Sequence, residues 1–204
     1  MIARKVIPLA VSLLVVLACV VARSAAAGPL TEQLRESIDS AFKVASDPEL
    51  KKEARSEDRR RMLRQVFDRI FDFPEMSRRS LGRHWQERTP DEREEFIVVF
   101  GDLLESAYIS KIESYSGEAI RYLGEVVNGD QAVVKTRIVT KQGSEIPVDY
   151  PMVQTGSRWR VYDVSIDGVS LIANYRSQFN SVIARSGYPE LISKLKVKQG
   201  LAAR

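Results

Sequence analysis

At Ser116-Gly117 the apolar residues change their spacing from every third or fourth position to every second, so helices must precede that point and strands follow it. Leu30, Leu34, Ile38, Ala41, Phe42 and Ala45 mark one face of a helix that Asp47-Pro48 stops. Met62, Leu63, Val66, Phe67, Ile70 and Phe71 predict a second helix over about Glu57 to Phe71, and Pro74 suits the first turn of a short third, closed by Gly82. Thr89-Pro90-Asp91-Glu92 reads as a capping box, with Thr89 at the N-cap, Pro90 at the first helical position and Glu92 placed to bond back to the cap. The long helix it starts presents a broad apolar face that includes Phe96, Val99, Phe100, Leu103, Leu104, Ala107, Tyr108 and Ile112.

Beyond the switch, Ala132, Val134, Thr136 and Ile138 alternate with Val133, Lys135, Arg137 and Val139. Ile146, Val148, Tyr150 and Met152 form one alternating class of the next segment; Trp159, Val161, Asp163 and Ser165 form another, set against Arg160, Tyr162, Val164 and Ile166. A weaker strand is expected over Ile120 to Val127, and turns of hairpin length at Asn128-Gly129-Asp130, Lys141-Gln142-Gly143 and Thr155-Gly156-Ser157 connect antiparallel neighbours. Pro147 and Pro151 share one face of a strand and cannot donate to a ladder, which puts that strand at an edge or at a bulge. Helices near Leu171 to Ser186 and from Tyr188 through Leu195 close the chain. Helices, then a meander, then helices describe an α+β domain: a twisted antiparallel sheet of about four strands, covered by the N- and C-terminal helices.

The front of the chain reads as an export signal. Arg4 and Lys5 precede an apolar run from Val6 to Val21, and Ala25-Ala26-Ala27 supplies a small-residue cleavage pattern. The expected division is a signal peptide over 1–27 and one domain over 28–204, with the processed protein in an extracytoplasmic compartment. A retained anchor is the competing reading, disfavoured because the run is short for a membrane span. Val16-Leu17-Ala18-Cys19 also resembles a lipoprotein cleavage box, so a form lipidated at Cys19 stays open beside soluble secretion.

Cleavage at Ala27 removes Arg4, Lys5 and Arg23 and no acid, taking the formal charge from +4 to +1. Nucleic-acid binding then has no compositional support. It also removes the single cysteine, and with it disulfides, thiol nucleophiles and thiolate metal sites. His84, the single histidine, reads as a surface or capping residue, and Gly168-Val169-Ser170 lacks the second glycine of a nucleophile elbow. No metalloprotease or calcium-loop motif is present. Asp163 is an acid–base candidate if it faces a pocket and a solvated strand residue if it does not; Asp167-Gly168 reads as a turn, with Ser170 free to cap the next helix. The basic cluster Lys51, Lys52, Arg55, Arg59, Arg60, Arg61 and Arg64, offset by Glu53, Glu57 and Asp58, is either a solvated helix face or a docking patch for an acidic partner or anionic head groups. The expectation is a protein that is not an enzyme and carries no metal or cofactor.

The segment WRVYDVSIDGVSLIANYRSQF from Trp159 to Phe179, with Val148-Asp149-Tyr150 upstream and the leader in front, resembles the MlaC family of toluene-tolerance auxiliary proteins, over roughly Leu34 to Lys196. That resemblance implies a cystatin-like or nuclear-transport-factor-like sheet enclosing an apolar cavity. It implies a periplasmic shuttle that binds phospholipid as a monomer and maintains outer-membrane lipid asymmetry. Its partners would be an MlaD-like inner-membrane ABC transporter complex and an outer-membrane lipoprotein complex. Combined with the alternation and the helix faces, it nominates Phe100, Leu104, Tyr108, Ile138, Val148, Tyr150, Met152, Val161, Val164, Tyr175 and Phe179 as lipid-binding residues. An exported small-molecule enzyme of acid–base isomerase type on a similar fold, and a lipidated periplasmic adaptor, are the alternatives.

Overall fold

Residues 28–113 and 118–202 are described by a computed structural model. The leader, Cys19 and the Ser116-Gly117 switch lie outside the described residues. Helix α1 spans Pro29–Ser46, and a short 3-10 turn at Glu53–Arg55 leads into α2, Ser56–Ile70. Helix α3 spans Phe73–Leu81, a second 3-10 turn Gly82–Trp85, and α4 Pro90–Glu113. Strands follow at Ala119–Asn128 (β1), Gln131–Val139 (β2), Glu145–Thr155 (β3), Arg158–Val161 (β4), Ser165–Ile166 (β5) and Val169–Ser170 (β6). Helices α5, Leu171–Ser186, and α6, Tyr188–Ala202, end the fold.

The capping box forms as expected: Glu92 N–H donates to Thr89 Oγ1 at 3.2 Å, and Thr89 N–H donates to Glu92 Oε2 at 2.9 Å. At α3, Asp72 is the N-cap and accepts from Glu75 N–H at 3.0 Å, while its other oxygen accepts from the Thr155 hydroxyl at 2.8 Å. One buried carboxylate therefore starts a helix and ties it to the end of β3. The start of α1 is held from the sheet: Glu125 on β1 accepts from the Thr31 amide at 2.6 Å and the Thr31 hydroxyl at 2.8 Å.

The sheet is antiparallel and six-stranded, in the order β1-β2-β3-β5-β6 with β4 also pairing β3. The four expected segments are all present, but the last is broken, and the break corrects the expectation for β3. That strand is interior, paired to β2 along its length and to β4 and β5 in succession on its other side. Pro151 and Pro147 aim their carbonyls at Tyr162 and Asp167, which donate to them at 3.0 and 2.9 Å. Both prolines therefore turn their N-side away from β2; the donor missing at Pro151 falls where pairing gives way between Asp149 and Met152, and the one missing at Pro147 falls opposite Asp167, at the other end of the short β3–β5 pairing. The neighbouring chain leaves the ladder at Tyr162 and rejoins it at Ser165.

Asp163 fills that gap. It accepts from the Val164 amide at 2.8 Å, from the Ile172 amide at 3.0 Å and from the Ser170 hydroxyl. Ser170 in turn caps α5 by accepting from Ala173 N–H at 2.9 Å. Between them, β5 and β6 form a minimal hairpin with Asp167 at φ 50° and Gly168 at φ 78°, the left-handed pair that a two-residue turn of this hand requires. The Trp159–Phe179 segment is thus one locally bonded unit, and Asp163 is its staple; it is neither a solvated strand residue nor a cavity acid.

Cross-strand pairing lays the inner face out in rows. Ile120, Ile138 and Ile146 form one row; Tyr122, Thr136, Val148 and Ile166 the next; Val127, Ala132, Met152 and Val161 the last. Ala132, Met152 and Val161 of the last row pack with Leu30, Leu34 and Ile70 in a closed core, while Val127 at its end is exposed. A second core lies between helices α3, α4, α5 and α6 around Phe96, Phe100 and Phe179. A third joins α1, α2 and α4 through Ala41, Ala45, Leu63, Phe67 and Ile109. The row that begins with Ile120, together with Val148 and Ile166 of the next, is part of the inner face where these cores leave space.

Candidate functional site

That space is a cavity of about 360 Å³ between the sheet and α1, α2, α3 and α4. Its floor is Ile120, Ile138, Ile146, Val148 and Tyr150, extended by Val164 and Ile166 from the broken strand. Leu34, Ile38, Ala41 and Phe42 of α1 cover one side; Phe67, Ile70, Phe71, Phe73 and Met76 at the α2–α3 junction cover another. Leu104, Glu105, Tyr108 and Ile112 of α4 close the back, with Leu171 beside them. Ile146 and Ile166 are the exposed members of this lining, which marks the end where the cavity meets solvent.

The strand break decides which residues reach the cavity. Through Val161 the β4 alternation is continuous, and Val161 enters the closed core. The turn at Tyr162–Val164 then resets the phase, so that Val164 and Ile166, formally of the opposite class, line the cavity instead. Among the nominated residues, Leu104, Tyr108, Ile138, Val148, Tyr150 and Val164 stand on the wall. Phe100, Tyr175 and Phe179 do not; they pack in the helical core, where Phe100 meets Tyr175 and Phe179 edge to face at 5.1 and 5.2 Å between ring centroids. Met152 and Val161 lie beneath the start of α1.

Several wall residues were not nominated. The α1 and α2 stripes were legible as buried faces, but nothing in their period says what they face. Ile146 shares the inner class of Val148 and was available from alternation alone. Glu105 had the plainest signal: a carboxylate between Leu104 and Tyr108, within the apolar face of α4.

The wall is chemically sparse. Burial pushes the Tyr108 and Tyr150 hydroxyls up to about 12, so both are neutral at physiological pH. Thr136 spends its hydroxyl on the Val148 carbonyl at 2.8 Å. Glu105 is the one carboxylate of the described lining; burial pushes it up to about 7 against the opposing pull of Arg64. Among the described residues no group of three or more His, Cys, Asp or Glu is placed to hold a metal ion. His84 is buried, 8% exposed, away from the cavity, with Nε2 3.1 Å from Asn180 Oδ1; this corrects the expectation of a surface histidine. The basic cluster is largely matched by local acids: Lys52 with Glu49, Arg55 and Arg61 with Asp58, Arg60 with Glu57. Arg64 points to Glu105. What this arrangement can do is take up an apolar, flexible ligand from one end.

The family model described as MlaC protein matches residues 35–197. The intermembrane phospholipid transport system binding protein MlaC of Haemophilus influenzae is 26% identical over 121 residues, 57% of this chain and 56% of that protein. Toluene tolerance protein ttg2D of Pseudomonas putida is 24% identical over 106 residues, 52% of this chain and 49% of the other. The matched part thus spans about half the length of these curated relatives. A solved structure of a phospholipid-binding protein from Ralstonia solanacearum, in complex with a phospholipid, shares the fold with a TM-score of 0.74 at 23% identity, over 88% of this chain and 100% of that one.

Proposed function

The chain belongs to the MlaC family, and from that premise we propose that it is a phospholipid-binding carrier that shuttles lipid through the periplasm. The observation that carries the reading is the apolar cavity between sheet and helices. The named relatives support it: one is called a binding protein of an intermembrane phospholipid transport system, and the solved neighbour is described in complex with a phospholipid.

The energetics say how such a cavity works. Each methylene kept from water is worth about 0.8 kcal/mol, so two chains of roughly 30 carbons in all resist unassisted passage by about 24 kcal/mol. The 360 Å³ cavity lies near the small end of the usual range for ligand sites, rather than near its upper end as two full acyl chains would need. At about 30 Å³ per small group it offers room for a dozen methylenes, close to one chain. A second chain requires the helices to move away from the sheet, and the isoleucine-lined end is where an acyl chain enters first.

Loading and unloading are the work of partners. An MlaD-like inner-membrane ABC transporter complex and an outer-membrane lipoprotein complex are the proposed donor and acceptor, and the head group stays near solvent. The signal peptide over 1–27 delivers the protein to the periplasm as a soluble monomer. The proposed reading assigns no catalysis to the cavity. The test is transfer of a fluorescent phosphatidylcholine between two populations of vesicles: the purified protein accelerates it, and transfer no faster than in its absence contradicts the proposal.

A further inference from the structure

Glu105 is a carboxylate where a carrier of hydrocarbon has no need of one. It is 8% exposed and lies on the cavity wall between Leu104 and Tyr108. Its partner is Arg64 on α2, whose Nε is 3.0 Å from Oε2, but the N–H is poorly aimed and that buried oxygen accepts no well-formed hydrogen bond. Arg64 is 52% exposed, whereas the carboxylate it approaches is buried and belongs to a residue that lines the cavity.

The other charged groups acting on Glu105 are Asp68 on α2 and Asp102 on its own helix, both of which oppose its ionisation. The residues of α1 that line the cavity are apolar. Ionised Glu105 is therefore held by one half-solvated cation and by whatever water the cavity admits. An acyl chain displaces that water, and dehydration disfavours a charged carboxylate far more than a neutral one.

We propose that Glu105 is the polar contact of the cavity, and that it meets a seated acyl ligand as a neutral carboxylic acid, so that loading takes up a proton and unloading releases it. This deepens the carrier reading and rests on it. The sign follows from linkage. The ligand-loaded form holds the Glu105 proton more tightly than the free form, so affinity is greatest below the free-state titration of Glu105, near pH 7, and falls as pH rises through it. Arg64 keeps the ionised state accessible and sets how far the pH must rise, which makes it a positioning residue.

The probe is a phosphatidylcholine with one fluorescent acyl chain, chosen because its head group does not titrate over the range used. The protein is expressed as the full chain and purified after export. Between pH 6 and pH 9 the dissociation constant of the native protein is expected to rise by about tenfold or more. Glu105→Gln is expected to bind at both pH values as the native protein does at pH 6. A second measurement needs no variant: calorimetry at pH 8 in two buffers of different ionisation enthalpy should show a net uptake of a substantial fraction of one proton on loading. A pH-independent dissociation constant, an unchanged pH profile in a folded Glu105→Gln, or zero proton uptake overturns the inference while leaving the carrier reading intact. Failure of the native protein to bind the probe at any pH overturns both.

Discussion

Replacing Val148 by Phe asks whether the space above the sheet is kept open. Val148 sits on the interior strand β3, buried, with its side chain on the cavity floor. A strand side chain stands perpendicular to the sheet, so a phenyl ring there enters the cavity directly and adds about four carbons. A ligand loses those positions, about 3 kcal/mol at 0.8 kcal/mol per methylene, which lowers affinity about 200-fold. The delipidated protein gains from the same contacts, by about 1–3 kcal/mol. Urea unfolding and titration with the fluorescent phosphatidylcholine measure both. Opposite shifts, tighter folding and weaker binding, are expected. A filled core would respond to the ring by losing about 1–3 kcal/mol, and that loss with binding unaltered would refute the reasoning.

Other outcomes test particular elements. Asp163→Ala strips three donors of their acceptor and is expected to lower stability by about 2–4 kcal/mol in urea unfolding; Asp163→Asn, which keeps the shape, should lose less. Glu125→Ala leaves the buried Thr31 hydroxyl and amide without their acceptor, costing about 1–3 kcal/mol, with amide exchange rising first in the opening turn of α1. Thr89→Ala breaks the capping box and should cost about 1 kcal/mol. Glu105 has its folded-state value raised to about 7, above its value of about 4.3 in an unfolded chain. The folded state therefore binds that proton more tightly, and the associated stability is present below about pH 4.3, declines as pH rises and is lost above about pH 7. Glu105→Gln is expected to narrow the difference between native-protein urea midpoints at pH 5 and pH 8, and an unchanged difference would count against that titration.

The elements that were legible in the sequence are those whose signals are local. Thr89-Pro90-Asp91-Glu92 specifies its own helix start, and the even-numbered class from Ala132 to Met152 keeps one phase because β2 and β3 pair without a break. The β4–β5 region was not legible in the same way. A period of two cannot show that the chain leaves the ladder at Tyr162, since the break lies opposite Pro151 on a neighbouring strand and is held by a carboxylate that satisfies the freed Val164 amide. That one event puts Val161 in the core and Val164 on the cavity wall. Helix faces carry the same blind spot: Phe100 and Leu104 lie one turn apart on α4 and share one core, yet only Leu104 also reaches the cavity. Periodicity marks burial; what lies opposite is set by packing between distant segments.

Organic extraction and mass spectrometry of the protein, purified after export of the full chain, address the carrier account most directly. Close to one equivalent of phospholipid per protein is the result it requires. Protein recovered folded but without lipid, and unable to acquire any from vesicles, would show that the space between sheet and helices is not a lipid site.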